Sequence, residues 1–482
     1  MRSIIERGEM ASSHSIILLL SFLFVLSAAR IESALETNEE EEVRHYHTLQ
    51  LSSLLPSSVC NPSTIGNKRK GSLEVVHKHG PCSSLTGDMV KPLTVKETMT
   101  HDQSRVDLIR AKLAINTGKK DLLGSKATIP AKSGSTIGSG NYIVTVGLGT
   151  PAKKLSLIFD TGSDLTWTQC QPCARSCYNQ KEPIFTPSAS TTYTNVSCSA
   201  TECSSLASAT GNNPGCSVST CLYGIQYGDQ SFSVGFFGKE KLTLTPKDVV
   251  NGFYFGCGQN NQGLFGGAAG LIGLGRDKLS IVSQTANKYR KVFSYCLPSR
   301  ASSTGYLTFG SGGMARNIKY TRLSTQGGSF YGLTLTAITV GGTKLPISPG
   351  VFQTSGIIID SGTVITRLPP TAYSALSSAF RTQMKKYPLT KPLSILDTCY
   401  DLSNYQMITI PKISVIWGGN TNVEIAPQGI LYANGVSQVC LAFAANGDDS
   451  DIGIFGNVQQ RTMAVVYDVA GGKVGFAPRG CT

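Results

Sequence analysis

Ile158-Phe-Asp160-Thr-Gly-Ser163 and Ile358-Ile-Asp360-Ser-Gly-Thr363 decide the reading of this chain, because they are one motif written twice, 200 residues apart. In each copy an apolar strand runs up to an Asp, and a hydroxyl residue and a Gly follow it. Gly lets the chain turn sharply, so the carboxylate is left at a strand end among backbone N–H and hydroxyl donors. One Asp-hydroxyl-Gly is a weak signal, since Asp and Gly are common in turns. Two copies with the same lead-in, one in each half of the body, make a repeat. A second pair supports it: Ala269-Gly-Leu-Ile-Gly-Leu-Gly275 follows the first Asp, and Ile452-Gly-Ile-Phe-Gly-Asn457 follows the second. An apolar–apolar–Gly element fits a strand crossing behind each Asp loop. As a nucleotide-binding loop the first stretch fails, because no Lys-Ser/Thr follows and no βαβ pattern surrounds it.

Outward from the repeat, the composition sets the class. With 40% of its 482 residues in the AVILMFWYC set and only 15% charged, the chain is too apolar to be mainly disordered. Its length suits two or three domains. The 51 Gly and 21 Pro are not periodic, which excludes collagen, and together with Val, Ile, Thr, Tyr and Phe they indicate a turn-rich β protein. Residues 141–149 and 155–159 alternate as strands. Helices are expected at residues 279–288 and 373–386, and an amphipathic one at 94–115 with Val95, Met99, Val106, Leu108, Ile109 and Leu113 on or near one face. The formal charge is +13, and residues 127–482 carry 27 Lys+Arg against 16 Asp+Glu, so the body itself is basic. Such a surface attracts polyanions. Lys and Arg are nevertheless scattered, with Arg276, Lys288, Arg290 and Lys291 the nearest thing to a cluster, and a solvated basic surface is the reading adopted.

The first part of the chain reads as targeting and processing sequence. Residues 16–29 are mostly apolar, too short for a membrane span but suited to a signal-peptide core, with small residues after them. Arg2 and Arg7 are diluted by Glu6 and Glu9, and Met10 is an alternative start. A plastid transit peptide is the other reading, although it would be less apolar and poor in acids. No later stretch is long and apolar enough for a span. The segment that follows is charged and weakly hydrophobic, with Glu39–Glu42 and Lys68-Arg-Lys70, as expected of a removable prosegment; a small accessory domain is the alternative. Residues 131–140, rich in Ser and Gly, read as an exposed connection. The expected division is signal peptide 1–34, prosegment 35–126, first lobe 127–318 and second lobe 319–482.

Fourteen cysteines behind a signal peptide favour disulfides. Cys60 and Cys82 stand apart from the twelve between Cys170 and Cys481. Cys170-Gln-Pro-Cys173 invites a zinc or redox reading, but no second CxxC or suitably spaced His pair follows. His77-Lys-His79 beside Cys82 is read as surface or packing rather than as a metal site. No cofactor and no metal are expected.

On the two Asp motifs and their flanks, residues 141–481 resemble the pepsin-like aspartic proteases, and more closely the plant nepenthesin-like branch. The resemblance implies a mostly β, bilobal pepsin-like fold, with two similar β-barrel-like lobes and the active-site cleft between them. It implies Asp160 and Asp360 as the catalytic dyad of an endopeptidase made as a zymogen, secreted or vacuolar, acting on polypeptides and monomeric after prosegment removal. Tyr227, in Ile225-Gln-Tyr-Gly-Asp-Gln-Ser231, matches the flap tyrosine, with Gln230 where many relatives carry Gly. Trp167 matches the aromatic donor that steadies that tyrosine, or is simple core packing. Ser163 and Thr363 match hydroxyls that hydrogen-bond the outer carboxylate oxygens, or cap their turns. Gly162 and Gly362 complete the substrate-binding set. The crowded cysteines match the nepenthesin-type insertion, which implies Cys170–Cys173, Cys177–Cys257, Cys198–Cys221, Cys203–Cys216, Cys296–Cys481 and Cys399–Cys440. Asn195-Val-Ser197 there is a glycosylation sequon.

Three rival readings are weighed. Paired carboxylates also serve glycoside hydrolysis, but without this symmetric setting. Inactive pepsin-fold inhibitors of glycoside hydrolases are expected to carry a damaged dyad, whereas both Asp residues are intact here. Finally, residues 227–238 and the stretch Val75-Val-His-Lys-His-Gly-Pro-Cys82 resemble the chloroplast-nucleoid DNA-binding type. That resemblance keeps DNA as a partner and a plastid destination in view, although no zinc finger or RNP-like motif is present.

Overall fold

The computed structural model describes residues 45–65, 71–85, 94–116, 142–227, 231–263, 265–311, 315 and 317–481. The signal segment, the 131–140 connection and Gln230 lie outside them. The chain is mostly β, with sheets arranged in two lobes.

Each Asp motif is built the same way. Strand Lys153–Asp160 pairs antiparallel with Tyr142–Leu148, Ile143 facing Ile158, and ends at Asp160. Strand Gly270–Gly273 then runs parallel beside it, Gly273 opposite Asp160, and also borders Trp167–Gln169. In the second half Ile357–Ile359 takes the part of the first strand, with Gly453–Phe455 parallel to it and Thr366–Leu368 on the far side. These segments are apolar on both faces because both faces are covered. The apolar–apolar–Gly repeat is therefore the strand that holds each Asp loop from behind.

The lobes share strands. Val292–Cys296 lies between Thr304–Phe309 and Ala464–Asp468, and Lys473–Ala477 follows at the next position, so the chain's last strands join a sheet begun in its first half. Phe293 stacks on Tyr467 at 4.5 Å across this junction, and Cys296–Cys481 bonds it covalently. Each fully buried side chain of this size contributes roughly 1.5–3 kcal/mol to holding the junction.

Residues 45–65 and 71–85 are woven into the same framework. Tyr46–Gln50 pairs antiparallel with Met407–Pro411 in the second lobe. Ser72–His77 is inserted between Thr304–Phe309 and Tyr142–Leu148, with Leu73 and Val75 buried. Helix Val95–Asn116 instead lies over the cleft. Its start is set by a capping box, in which Glu97 accepts from the Thr94 N–H (2.7 Å) and Thr94 Oγ1 accepts from the Glu97 N–H (3.2 Å). Met99, Val106, Ile109 and Leu113 are buried, whereas Leu108 is half-buried. The helix expected at 279–288 is two single turns, Ile281–Gln284 and Ala286–Tyr289, separated at Thr285; that expected at 373–386 begins earlier, as Pro370–Gln383.

Four of the six disulfides implied by resemblance are replaced. Strand Trp167–Gln169 runs beside Gly256–Gly258, which brings Cys170 to Cys257 and leaves Cys173 to close a short turn with Cys177. In the insertion, buried Cys203 bonds buried Cys221 on the core side, and the outer Cys198 bonds exposed Cys216. Cys216 and Cys221 lie directly opposite each other on adjacent strands, yet each bonds a cysteine outside that hairpin rather than the other. Cys296–Cys481 and Cys399–Cys440 form as implied, and Cys60 pairs with Cys82.

Candidate active site

The two Asp loops meet at the lobe junction and are tied across it by an exchange of hydroxyls. The Thr161 N–H donates to Ser361 Oγ (3.1 Å), and the Ser361 N–H donates to Thr161 Oγ1 (2.9 Å). Gly162 and Gly362 make room for this approach. A Cβ on Gly162 would lie 2.8 Å from Asp360 Oδ1, and one on Gly362 would lie 2.6 Å from Asp160 Oδ1. Any larger residue at either position would push the carboxylates apart. Behind the loops, the N–H of Gly273 donates to Thr166 Oγ1 (3.1 Å), and that of Gly456 donates to Thr366 Oγ1 (3.0 Å).

Asp160 and Asp360 are both buried. Gly162 N–H donates to Asp160 Oδ1 (2.9 Å); Gly362 N–H reaches Asp360 Oδ1 (3.3 Å), and Thr363 Oγ1 donates to Asp360 Oδ2 (2.6 Å). Ser163 differs from Thr363, because its buried hydroxyl has no hydrogen-bond partner among the described residues. The bond to Asp160 implied by resemblance is absent, and a guanidinium occupies both oxygens of that carboxylate instead.

That guanidinium belongs to Arg105 of helix Val95–Asn116. Its Nη2 donates to Asp160 Oδ1 (2.6 Å) and Asp360 Oδ1 (2.9 Å), Nη1 to Asp160 Oδ2 (3.2 Å) and Nε to Asp360 Oδ2 (2.8 Å). Burial opposes ionisation of Asp360, but the charge and hydrogen bonds of Arg105, with Thr363 and Gly362, outweigh it and hold the carboxyl below its ordinary value. Burial likewise acts against the Arg105 charge, and the two carboxylates more than reverse that. Two further charged residues of the helix reach the body. Asp102 accepts from the N–H groups of Val364 (2.6 Å) and Ile365 (3.1 Å), and Arg110 meets Asp451 (3.4 Å).

On the opposite side, strand Thr220–Gln226 and the start of Phe232–Thr245 form the hairpin expected to serve as the flap, with Tyr227 N–H donating to Ser231 O (2.8 Å). Trp167 Nε1 donates to Tyr227 Oη at 2.7 Å, and Phe265 packs edge-on against both rings. Burial pushes the Tyr227 phenol well above its usual pKa, so it stays protonated. Asp164, beside the first Asp loop, is pushed up to about 7 by burial, against the opposing effect of the Asp277 N–H that donates to it (2.8 Å).

The structure thus brings Asp160, Asp360, Gly162, Gly362, Thr363, Trp167 and Tyr227 around one cleft. Arg105, Asp102 and the Thr161/Ser361 exchange were not read from the sequence. A signal for the first two exists, since both are charges on the stripe set by Met99, Val106, Ile109 and Leu113. The basic cluster is partly consumed by structure: Lys288 pairs with Asp248 (3.1 Å), and Arg276 donates to Gly328 O and Phe330 O (both 3.3 Å).

The profile described as Xylanase inhibitor N-terminal matches residues 142–311, and that described as Xylanase inhibitor C-terminal matches residues 330–478. An aspartyl protease family protein of Arabidopsis thaliana is 61% identical over 448 residues, covering 92% of this chain and 94% of that protein. Aspartic proteinase nepenthesin-1 of Nepenthes gracilis is 38% identical over 388 residues, covering 76% and 85%. Among solved structures, edgp aligns with a TM-score of 0.57 at 21% identity over 72% of this chain and 93% of its own, a likeness of fold alone. With the repeated Asp loops and the two-lobed β framework, that similarity along most of the chain identifies it as a member of the pepsin-like plant aspartic protease family.

Proposed function

We propose that this chain is an aspartic endopeptidase made as a latent precursor, in which Asp160 and Asp360 activate water and helix Val95–Asn116 is the inhibitory element. The observation that carries the proposal is the Arg105 guanidinium, hydrogen-bonded to both carboxylates at once. A bidentate cation there leaves no place for a water or a peptide carbonyl. When the helix leaves, two adjacent carboxylates cannot both remain ionised, and they share one proton, the behaviour for which aspartic proteases are the reference case. The ionised member takes a proton from water as its oxygen attacks the peptide carbonyl, and the protonated member gives its proton to the carbonyl oxygen. The tetrahedral intermediate collapses with cleavage of the C–N bond and proton transfer to the departing nitrogen. Tyr227 and Trp167 close the flap over the substrate and exclude bulk water.

The seven disulfides support passage through an oxidising compartment, and with the signal-like segment they support secretion. Asn195 is exposed and open to glycosylation. The inhibitor named in the two family profiles suggests a non-catalytic alternative, but such a protein has no need of a dyad covered by a removable cation.

Acid is the expected trigger. Asp360 has a lowered pKa in the folded precursor, so its pairing contributes fully above the unfolded value of about 3.9 and is lost as pH falls through the lowered folded value. The purified precursor should therefore stay latent at neutral pH and gain activity on a denatured protein substrate below about pH 4. Asp160→Asn and Asp360→Asn should each remove that activity, and a transition-state-mimicking inhibitor should block the wild type. A folded, processed wild type that cleaves nothing across the acid range would instead favour the inhibitor reading.

A further inference from the structure

Residue 367 stands in the second Asp motif where Trp167 stands in the first, seven places after the Asp. Trp167 holds the flap, whereas Arg367 holds the inhibitory helix. Arg367 Nη2 meets Asp102 Oδ2 at 3.0 Å and Gln103 Oε1 at 3.4 Å, Nη1 donates to its own loop at Ile365 O (2.8 Å), and Nε has no hydrogen-bond partner among the described residues. The Asp102 carboxylate therefore sits in a receptor of one guanidinium and two main-chain N–H groups, those of Val364 and Ile365. Both charged side chains are shut from water, with Asp102 0% and Arg367 1% exposed. The receptor belongs to the body of the enzyme, and its occupant belongs to the helix. Asp102 precedes Arg105 by three residues, about 4.5 Å along a helix axis, so the receptor lies about one helical turn from the Asp160–Asp360 pair that Arg105 contacts.

We infer that, once the helix has left, Val364, Ile365 and Arg367 form a carboxylate-binding subsite that selects an acidic residue of the substrate near the cleaved bond, with Asp102 as its built-in stand-in. This rests on the endopeptidase reading above. A buried guanidinium and two aligned N–H donors are poorly satisfied by an amide or an apolar side chain, so discrimination comes from what a wrong substrate leaves unpaired.

The test uses the acid-activated wild type and peptides with blocked termini, in which Asp/Asn and Glu/Gln are exchanged at each position flanking the cleaved bond. At one position the acidic peptide should show a kcat/KM about tenfold or more above its amide twin. The ratio should rise with pH as the substrate carboxyl ionises. Arg367→Met should bring the ratio close to one, and Arg367→Lys should restore part of it. A parallel set with free C-termini separates side-chain from terminal-carboxylate recognition; preference only in that set would overturn the side-chain assignment. Should Arg367→Met fail to fold, inhibition of the wild type by a synthetic peptide of residues 94–116 decides, the Asp102→Asn peptide being expected to bind about tenfold more weakly or worse. Ratios near one at every position in an enzyme that cleaves the peptides would overturn the inference alone. Failure to cleave any peptide would overturn the endopeptidase reading and the inference with it.

Discussion

The two Asp loops share a backbone plan and differ in what they hold. At the first, Asp160-Thr-Gly-Ser163-Asp164-Leu-Thr-Trp167, the hydroxyl of Ser163 has no partner among the described residues, Asp164 is a buried acid, and Trp167 donates to Tyr227. At the second, Asp360-Ser-Gly-Thr363-Val364-Ile-Thr-Arg367, Thr363 is bound to the Asp, Val364 and Ile365 lend their N–H groups to Asp102, and Arg367 pairs with that same carboxylate. The parts that match are those that bring two carboxylates together: the glycines, the crossed Thr161 and Ser361 hydroxyls, and the Thr166 and Thr366 braces. The parts that differ each face a separate partner. Symmetry is kept where chemistry needs a pair, and lost where one side meets Tyr227 and the other helix Val95–Asn116.

The largest effect tests the matching part. Asp160→Asn and Asp360→Asn should lower kcat by a similar factor, about 10³ or more, since neither carboxylate replaces the other. A large difference between them would break the claim of equal partnership. Next comes Asp102→Asn in the latent precursor. Removing one charge of a buried pair leaves Arg367 uncompensated and should destabilise the seated helix by roughly 3 kcal/mol, read as earlier loss of latency in urea. Thr363→Ala should destabilise the precursor by about 1.5–3 kcal/mol by removing a hydrogen bond to an ionised group, whereas Ser163→Ala should change it by under about 0.5 kcal/mol. Equal effects in urea denaturation would erase that difference between the loops. The mildest change, Trp167→Phe, keeps the ring but deletes the N–H to Tyr227, and kcat/KM should fall about tenfold through looser flap closure.

Much of this was legible in the residues. The repeated Asp motif, the apolar–apolar–Gly strands behind it, the β class, and the pairing of Trp167 with Tyr227 follow from local pattern or from the family resemblance built on it. The disulfides of the insertion were not, because spacing does not say which cysteines the fold brings together; Cys216 and Cys221 sit side by side, yet the exposed Cys216 bonds Cys198 and the buried Cys221 bonds Cys203. The strand role of Ser72–His77 was hidden in a segment whose charge and low hydrophobicity read as detachable. The contact of Arg105 with both carboxylates was missed for a physical reason. Helix Val95–Asn116 was judged by its apolar stripe, while the informative residues were Asp102 and Arg105 interrupting that stripe. A charge on the buried face of a helix must have a partner waiting for it.

The central claim is that Arg105 holds the dyad silent, and the most direct measurement is the activity of the unprocessed Arg105→Gln precursor at near-neutral pH, on a small peptide and within the first minutes. The account predicts measurable cleavage without acid treatment, abolished by adding Asp360→Asn, while the wild-type precursor stays silent. An Arg105→Gln precursor that folds, remains as latent as the wild type, and still needs the same acid pH to activate would contradict it.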